Sequence, residues 1–190
     1  MRPATFFDRD DTLIACTGVA PDGDLGDPAL VRLMPGARDA CVRLRHAGHL
    51  LVVVTNQGGV ARGRFGLESV RAVNDRVNEL LGGLIDAFYA CPFHPRGSRP
   101  ELAREHPWRK PGPGMLLAAT RDLGIDLSRS WLVGDAGRDI DAGRAAGCRT
   151  ILLGAAGDAN PHHAVRTLPD AADTILLSGA QPRDSGVDSA

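Results

Sequence analysis

Hydrophobic positions along the chain fall into two alternating patterns. Unbroken apolar runs, ATFF (4–7), HLLVVVTN (49–56), LIDAFYA (84–90), SWLVGD (130–135) and CRTILLG (148–154), read as strands buried on both faces. A half-exposed strand would instead carry a polar residue at every second position. Between these runs the apolar residues recur three and four apart, the spacing of one helical face. GARDACVRLRHAG (36–48) places Ala37, Ala40, Cys41, Leu44 and Ala47 on such a face and stops at Gly48. LESVRAVNDRVNELLG (67–82) does the same with Val70, Val73, Val77, Leu80 and Leu81. PGMLLAATRDLG (113–124) has Pro in its first turn and Gly at its end, and RDIDAGRAAG (138–147) reads as a shorter helix. DTILLS (173–178) is expected as a sixth strand at the sheet edge. Residues 1–180 form one expected domain, and the tail 181–190 is expected to be disordered.

Strands alternating with helices predict an α/β fold, a doubly wound parallel sheet with helices on both faces. The connections are too short for a separate cap domain. Ligands of such sheets bind beyond the carboxyl ends of the strands, where the strand order reverses. Here Asp8-Arg9-Asp10 follows the first run, Thr55-Asn56 closes the second and Gly134-Asp135 closes the fourth. Lys110 precedes the helix that leads into the fourth.

Composition narrows the function class. The chain has 190 residues, 43% hydrophobic, and its 22 basic and 23 acidic side chains nearly cancel. That balance excludes a disordered chain and gives no basic stripe, so nucleic acid is not an expected partner. No apolar run approaches the roughly 20 residues of a membrane span. The first acidic residue stands at position 8, too early for a signal peptide, and Cys16, Cys41, Cys91 and Cys148 are too scattered for a disulfide framework. A cytoplasmic monomer is expected. Of the 22 basic residues, 21 are Arg and Lys110 is the single Lys. Lys is a compact point charge suited to a transferring phosphoryl group, whereas Arg is a planar fork.

The acids at the strand ends suggest what that charge serves. Asp8 and Asp10, at i and i+2 beyond a strand, can address one small volume. One carboxylate can attack phosphorus while the other moves protons. A solvated acidic loop would show the same pair, so the spacing alone does not decide. Asp135 and Asp139 add a second carboxylate cluster, which with Asp8 fits Mg²⁺, a hard cation preferring oxygen ligands. Asp139 also suits the first turn of a helix, where the dipole favours an acid.

In this order the motifs resemble the haloacid dehalogenase (HAD) superfamily of aspartate-nucleophile phosphatases: Asp8-Arg9-Asp10-Asp11-Thr12, Thr55-Asn56, Lys110, and Gly134-Asp135 with Asp139. VVVTNQGGVARG (52–63) and RKPGPGM (109–115) resemble the branch of heptose bisphosphate and histidinol phosphatases. The resemblance implies a Rossmann-like core and an aspartyl-phosphate intermediate. It makes Asp8 the nucleophile and Asp10 the acid and base, with Thr55 and Lys110 stabilising the phosphoryl group. Mg²⁺ would be held by Asp8, the Asp10 carbonyl and Asp135, with Asp139 a further candidate. Asn56, Gln57, Arg62 and Arg109 would seat the substrate. That partner is expected to be a small phosphorylated metabolite, a sugar bisphosphate such as D-glycero-D-manno-heptose 1,7-bisphosphate.

The chain departs from the family at three places. Asp11 stands where Gly is usual, and Asp tolerates a left-handed backbone better than most residues. Ala136 stands where near relatives often carry Lys. A zinc loop of the form Cys-x-His and Cys-x-Cys is reduced here to Cys91, Phe93, His106 and Trp108. Even with His94 substituting, Cys91, His94 and His106 fall short of the four ligands of a structural site, so zinc is not expected. The loop 91–109 is expected to be held by Pro92, Pro95, Pro100 and Pro107 and by packing of Phe93 and Trp108. Histidinol phosphate is the alternative substrate, with Asp22, Asp24 or Asp27 to pair its amine. A catalytically silent phosphate-binding domain is the non-enzyme alternative, and intact Asp8, Asp10 and Lys110 argue against it.

Overall fold

The computed structural model describes residues 1–20 and 23–179, so the tail from Gln181 and the side chain of Asp22 lie outside the described residues. Six strands, β1 (Ala4–Phe7), β2 (Leu50–Asn56), β3 (Ala87–Cys91), β4 (Trp131–Gly134), β5 (Arg149–Leu153) and β6 (His163–Val165), make one parallel sheet in the order β3-β2-β1-β4-β5-β6. The chain runs outward from β1 to β3 and then returns to place β4 on the other side of β1. The order therefore reverses between β1 and β4, where doubly wound sheets bind their ligands.

Alternation of side chains across the strands divides the core in two. Phe7, Leu51, Val53, Trp131, Val133 and Ile151 face one side, against α1 (Ala37–His46), α3 (Leu67–Leu81) and α6 (Leu168–Gly179). Phe6, Leu50, Val52, Val54 and Leu132 face the other, against α4 (Gly114–Leu123) and α5 (Gly137–Ala146). α5 lies especially close to the sheet. A Cβ on Gly143 would fall 2.6 Å from Thr150 Cγ2 and 3.1 Å from Leu132 Cβ.

Several segments differ from the sequence expectation. Residues 173–178 are not a strand but lie inside α6. Leu168, Ala171, Ala172 and Ile175 are its buried positions, at helical spacing, while Leu177 is 71% exposed. Thr167 and Asp170 cap its start reciprocally, through the Asp170 amide to Thr167 Oγ1 and Thr167 Oγ1 to Asp170 Oδ2. The sixth strand is instead His163–Val165, an exposed edge of three residues with no apolar run to announce it. A one-turn helix, α2 (Gly58–Ala61), directly follows β2, and β3 begins three residues later than the run 84–90 suggested.

Among the described residues, the connection from β1 to α1 holds a 3-10 turn at Pro28–Leu30 and no second sheet or helical bundle covers the strand ends. No described helix is long and apolar enough to cross a membrane.

Candidate active site

The carboxyl ends of β1, β2 and β4 converge on a cavity of about 340 Å³ lined by Asp8, Asp10, Asp11, Thr55, Asn56, Asp135 and Arg138, among others. Asp8 still belongs to the sheet through its amide, which donates to Val133 O at 3.0 Å. Its side chain is fixed from two directions. Oδ1 accepts the Arg9 amide at 2.7 Å and lies 2.8 Å from Lys110 Nζ. Oδ2 takes no hydrogen bond from a described residue.

Lys110 is 2% exposed. A buried ammonium is costly unless each of its three donors is matched. Here they are: Asp8 Oδ1 at 2.8 Å, Asp139 Oδ1 at 2.7 Å and the Val54 carbonyl at 2.8 Å. Burial pulls its pKa down, and the fields of Asp8 and Asp139 more than reverse this, so Lys110 stays charged. Its charge stands beside Asp8 at the end of β1.

The backbone of Lys110 is held as firmly. The Asn56 carboxamide donates to Lys110 O and accepts from Lys110 N, both at 3.0 Å. Asp139 reaches Lys110 because β4 ends in glycine: a Cβ on Gly134 would lie 2.5 Å from Asp139 Cβ. Asp139 Oδ2 accepts the Ala136 amide at 3.1 Å, capping α5. Asp139 Oδ1 thus meets Lys110 as an ion pair without hydrogen-bond geometry and Oδ2 carries the cap, so Asp139 braces Lys110 and the helix start.

Asp135 differs. Its Oδ1 is buried with no hydrogen-bond partner, and its carboxyl is pushed up to about 7 by burial and then by repulsion from Asp8 and Asp139. Ligand oxygens of Asp8, Asp135 and Asp139 lie within 4.8 Å of one another. A cation placed among them would satisfy the orphaned oxygen and relieve the repulsion, so the residues present fit a hard divalent metal.

The four expected substrate contacts all have protein partners. Asn56 holds the Lys110 backbone. Gln57 Nε2 donates to Asp10 Oδ2 and Thr55 Oγ1, both at 2.8 Å. Arg62 pairs with Asp24, its Nη2 at 2.6 Å from each carboxylate oxygen. Arg109 Nη1 donates to Phe93 O at 3.2 Å. The cation that lines the cavity with no hydrogen bond or ion pair is Arg138, near the start of α5, which the motif pattern did not single out. Asp11 adopts φ 57, the left-handed backbone that its place in the motif requires. Its Oδ1 accepts the amides of Cys16 and Thr17, and its Oδ2 the Thr17 hydroxyl. Burial opposes ionisation there, but these hydrogen bonds win and hold the carboxyl below its ordinary value.

In the loop 91–109, His94 Nδ1 accepts the Arg96 amide and His106 Nδ1 the Trp108 amide. His106 stacks on Phe93 at 4.1 Å between ring centroids, and Arg104 lies over the same ring. Among the described residues, Cys91, His94 and His106 form no group of metal-ligating atoms.

Comparison with known proteins agrees with this geometry. Residues 107–176 match the HAD-hydrolase-like family model. Over 175 residues, 90% of this chain and 78% of the relative, the chain is 41% identical to the D-glycero-beta-D-manno-heptose-1,7-bisphosphate 7-phosphatase of Mesorhizobium japonicum. It is 38% identical to the enzyme of the same name from Escherichia coli K12 over 154 residues, 80% of this chain and 78% of the relative. A HAD-like phosphatase structure from Mesorhizobium loti superposes with TM-score 0.81 at 39% identity, covering 96% of this chain and 90% of that one. The D,D-heptose 1,7-bisphosphate phosphatase of B. bronchiseptica, complexed with magnesium and phosphate, gives TM-score 0.75 at 27% identity, covering 93% and 99%. The chain belongs to the HAD-like phosphatases, in the family of the D-glycero-D-manno-heptose-1,7-bisphosphate 7-phosphatases.

Proposed function

We propose that this chain hydrolyses the 7-phosphate of D-glycero-D-manno-heptose 1,7-bisphosphate through a phosphoryl group carried transiently on Asp8. The observation that carries the reading is the Asp8 carboxylate, with Oδ1 held by Lys110 and the Arg9 amide and Oδ2 free toward the cavity. Asp8 Oδ2 bonds to phosphorus as the ester P–O bond breaks, and the departing oxygen takes a proton from the Asp10 carboxyl. A water then attacks phosphorus and gives its proton to Asp10, and the Asp8–phosphorus bond breaks to release inorganic phosphate. Lys110, itself buried, opposes the charge on the transferring group from a fixed position beside Asp8. Thr55, the last residue but one of β2, lies in the cavity wall.

Asp8, Asp135 and the Asp10 carbonyl would hold Mg²⁺, which when bound neutralises phosphoryl charge. Arg138 is the free cation at the cavity and suits the second phosphate of a bisphosphate. The four cysteines are free and buried, which fits a reducing, cytoplasmic setting.

The alternative, histidinol phosphate, needs a free carboxylate for the substrate amine. Asp24 is paired with both Arg62 and Arg64, and Asp27 Oδ1 accepts the Ala29 amide. Asp24 is therefore unavailable to that amine, and the bisphosphate reading rests on the named relatives. The test is phosphate release with Mg²⁺ from both heptose 1,7-bisphosphate anomers, histidinol phosphate and other sugar monophosphates. The heptose bisphosphate should give the highest kcat/KM; a higher value for histidinol phosphate would replace the substrate while keeping the chemistry.

A further inference from the structure

Between the two catalytic acids stands Arg9, which the motif treats as a variable position. Its side chain is fully buried, the largest such side chain among the described residues. A guanidinium out of water is costly unless it is paired and its donors are satisfied, so its partners show what it is for. Arg9 Nε donates to Asp10 Oδ1 at 3.1 Å and Nη2 to Asp10 Oδ2 at 3.2 Å, a two-pronged grip on the neighbouring carboxylate. The far side of the fork is braced in turn. Nη1 donates to Asn74 Oδ1 at 3.1 Å, from the buried face of α3, and Nη2 to the Leu25 carbonyl at 3.3 Å. Gln57 Nε2 completes the set on Asp10 Oδ2.

We infer that Arg9, braced by Asn74, is a positioning residue that fixes the Asp10 carboxyl for proton transfer to the leaving group. The inference rests on the aspartyl-phosphate reading above. Proton transfer needs the donor oxygen about 2.6–3.2 Å from the departing oxygen. A free Asp side chain turns about two torsions, and the planar fork removes both freedoms at once because it engages both oxygens. Lysine at this position would keep the charge and lose the fork.

The reaction offers a readout that a purely structural role would not move. The parameter kcat/KM reports only the steps up to leaving-group departure, in which Asp10 gives its proton to the ester oxygen. A nitrophenolate leaves without that proton; a phenolate or alkoxide does not. The experiment compares kcat/KM for phenyl phosphate and 4-nitrophenyl phosphate in wild type, Asp10→Asn, Arg9→Lys and Asn74→Ala, with thermal unfolding of each. Asp10→Asn sets the scale, a loss on phenyl phosphate of about 10² to 10⁴-fold with far less on 4-nitrophenyl phosphate. Arg9→Lys should show the same selectivity, with about a 10²-fold loss on phenyl phosphate, the effect expected of an acid displaced by about 1 Å. Asn74→Ala should repeat the pattern more weakly, and it carries the test if Arg9→Lys does not fold. Equal losses on both substrates in the folded Arg9 or Asn74 variants, with Asp10→Asn still selective, would overturn the role of Arg9 alone. Equal losses in Asp10→Asn would overturn the proton-transfer reading, and the role of Arg9 with it.

Discussion

The ammonium of Lys110 lies 2.7 Å from a carboxylate oxygen of Asp139, and neither side chain is exposed to solvent. Lys110 comes from the loop before α4 and Asp139 from the first turn of α5, so the pair ties together two helices that flank the end of β4. It also places a fixed positive charge 2.8 Å from Asp8. The single lysine of the chain is thus the charge that Asp8 and Asp139 share.

Removing Asp139 should therefore damage both stability and turnover. Asp139→Ala takes one of two acids from a buried cation and uncaps the Ala136 amide. Breaking a buried pair on one side costs about 3–5 kcal/mol, which denaturant unfolding would read. Asp139→Asn keeps a cap and should lose less. A variant as stable as wild type would contradict the bracing role.

Arg138 should matter for the second phosphate and little for the first. Arg138→Ala is expected to raise KM for a sugar bisphosphate about tenfold, the loss of roughly one charge-assisted hydrogen bond. KM for the matching monophosphate should change by less than half as much on a logarithmic scale. Equal changes for both would place Arg138 elsewhere in the site's function.

Metal should stabilise the protein more as pH rises. The Asp135 carboxyl is raised to about 7, above its ordinary value near 4, so the folded metal-free protein binds a proton that the unfolded chain has released. That contribution to stability is complete below about pH 4 and is lost as pH rises through about 7. A divalent cation takes the place of the proton. The increase in Tm on adding Mg²⁺ should be larger at about pH 8 than at about pH 5.5, and an equal increase would contradict a metal site at Asp135.

Much of this arrangement was legible in the residues, and the exceptions have physical causes. Five strands announced themselves because a strand buried on both faces must be apolar throughout. The edge strand His163–Val165 did not, since exposure lifts that demand, and Ile175, Leu176 and Leu177 read as a strand only when separated from Leu168, Ala171 and Ala172. Asp8, Asp10 and Asp135 stood out as acids just beyond apolar runs, and Lys110 as the single lysine of the chain. The partners of Asp10 did not, because burial of Arg9 is a property of the fold. Asn74 left one trace: it sits on the inward stripe of Val70, Val73, Val77 and Leu81, a polar residue on an otherwise apolar face. Arg138 left none, being one exposed arginine among 21.

The central claim is that Asp8 is the nucleophile, and one comparison tests it most directly. Phosphate release from D-glycero-D-manno-heptose 1,7-bisphosphate is measured with Mg²⁺ for wild type and for Asp8→Asn, both shown to be folded. Wild type should release phosphate and Asp8→Asn none above background, because an amide cannot form the phosphoryl intermediate. Release by Asp8→Asn at a rate comparable to wild type would contradict the account.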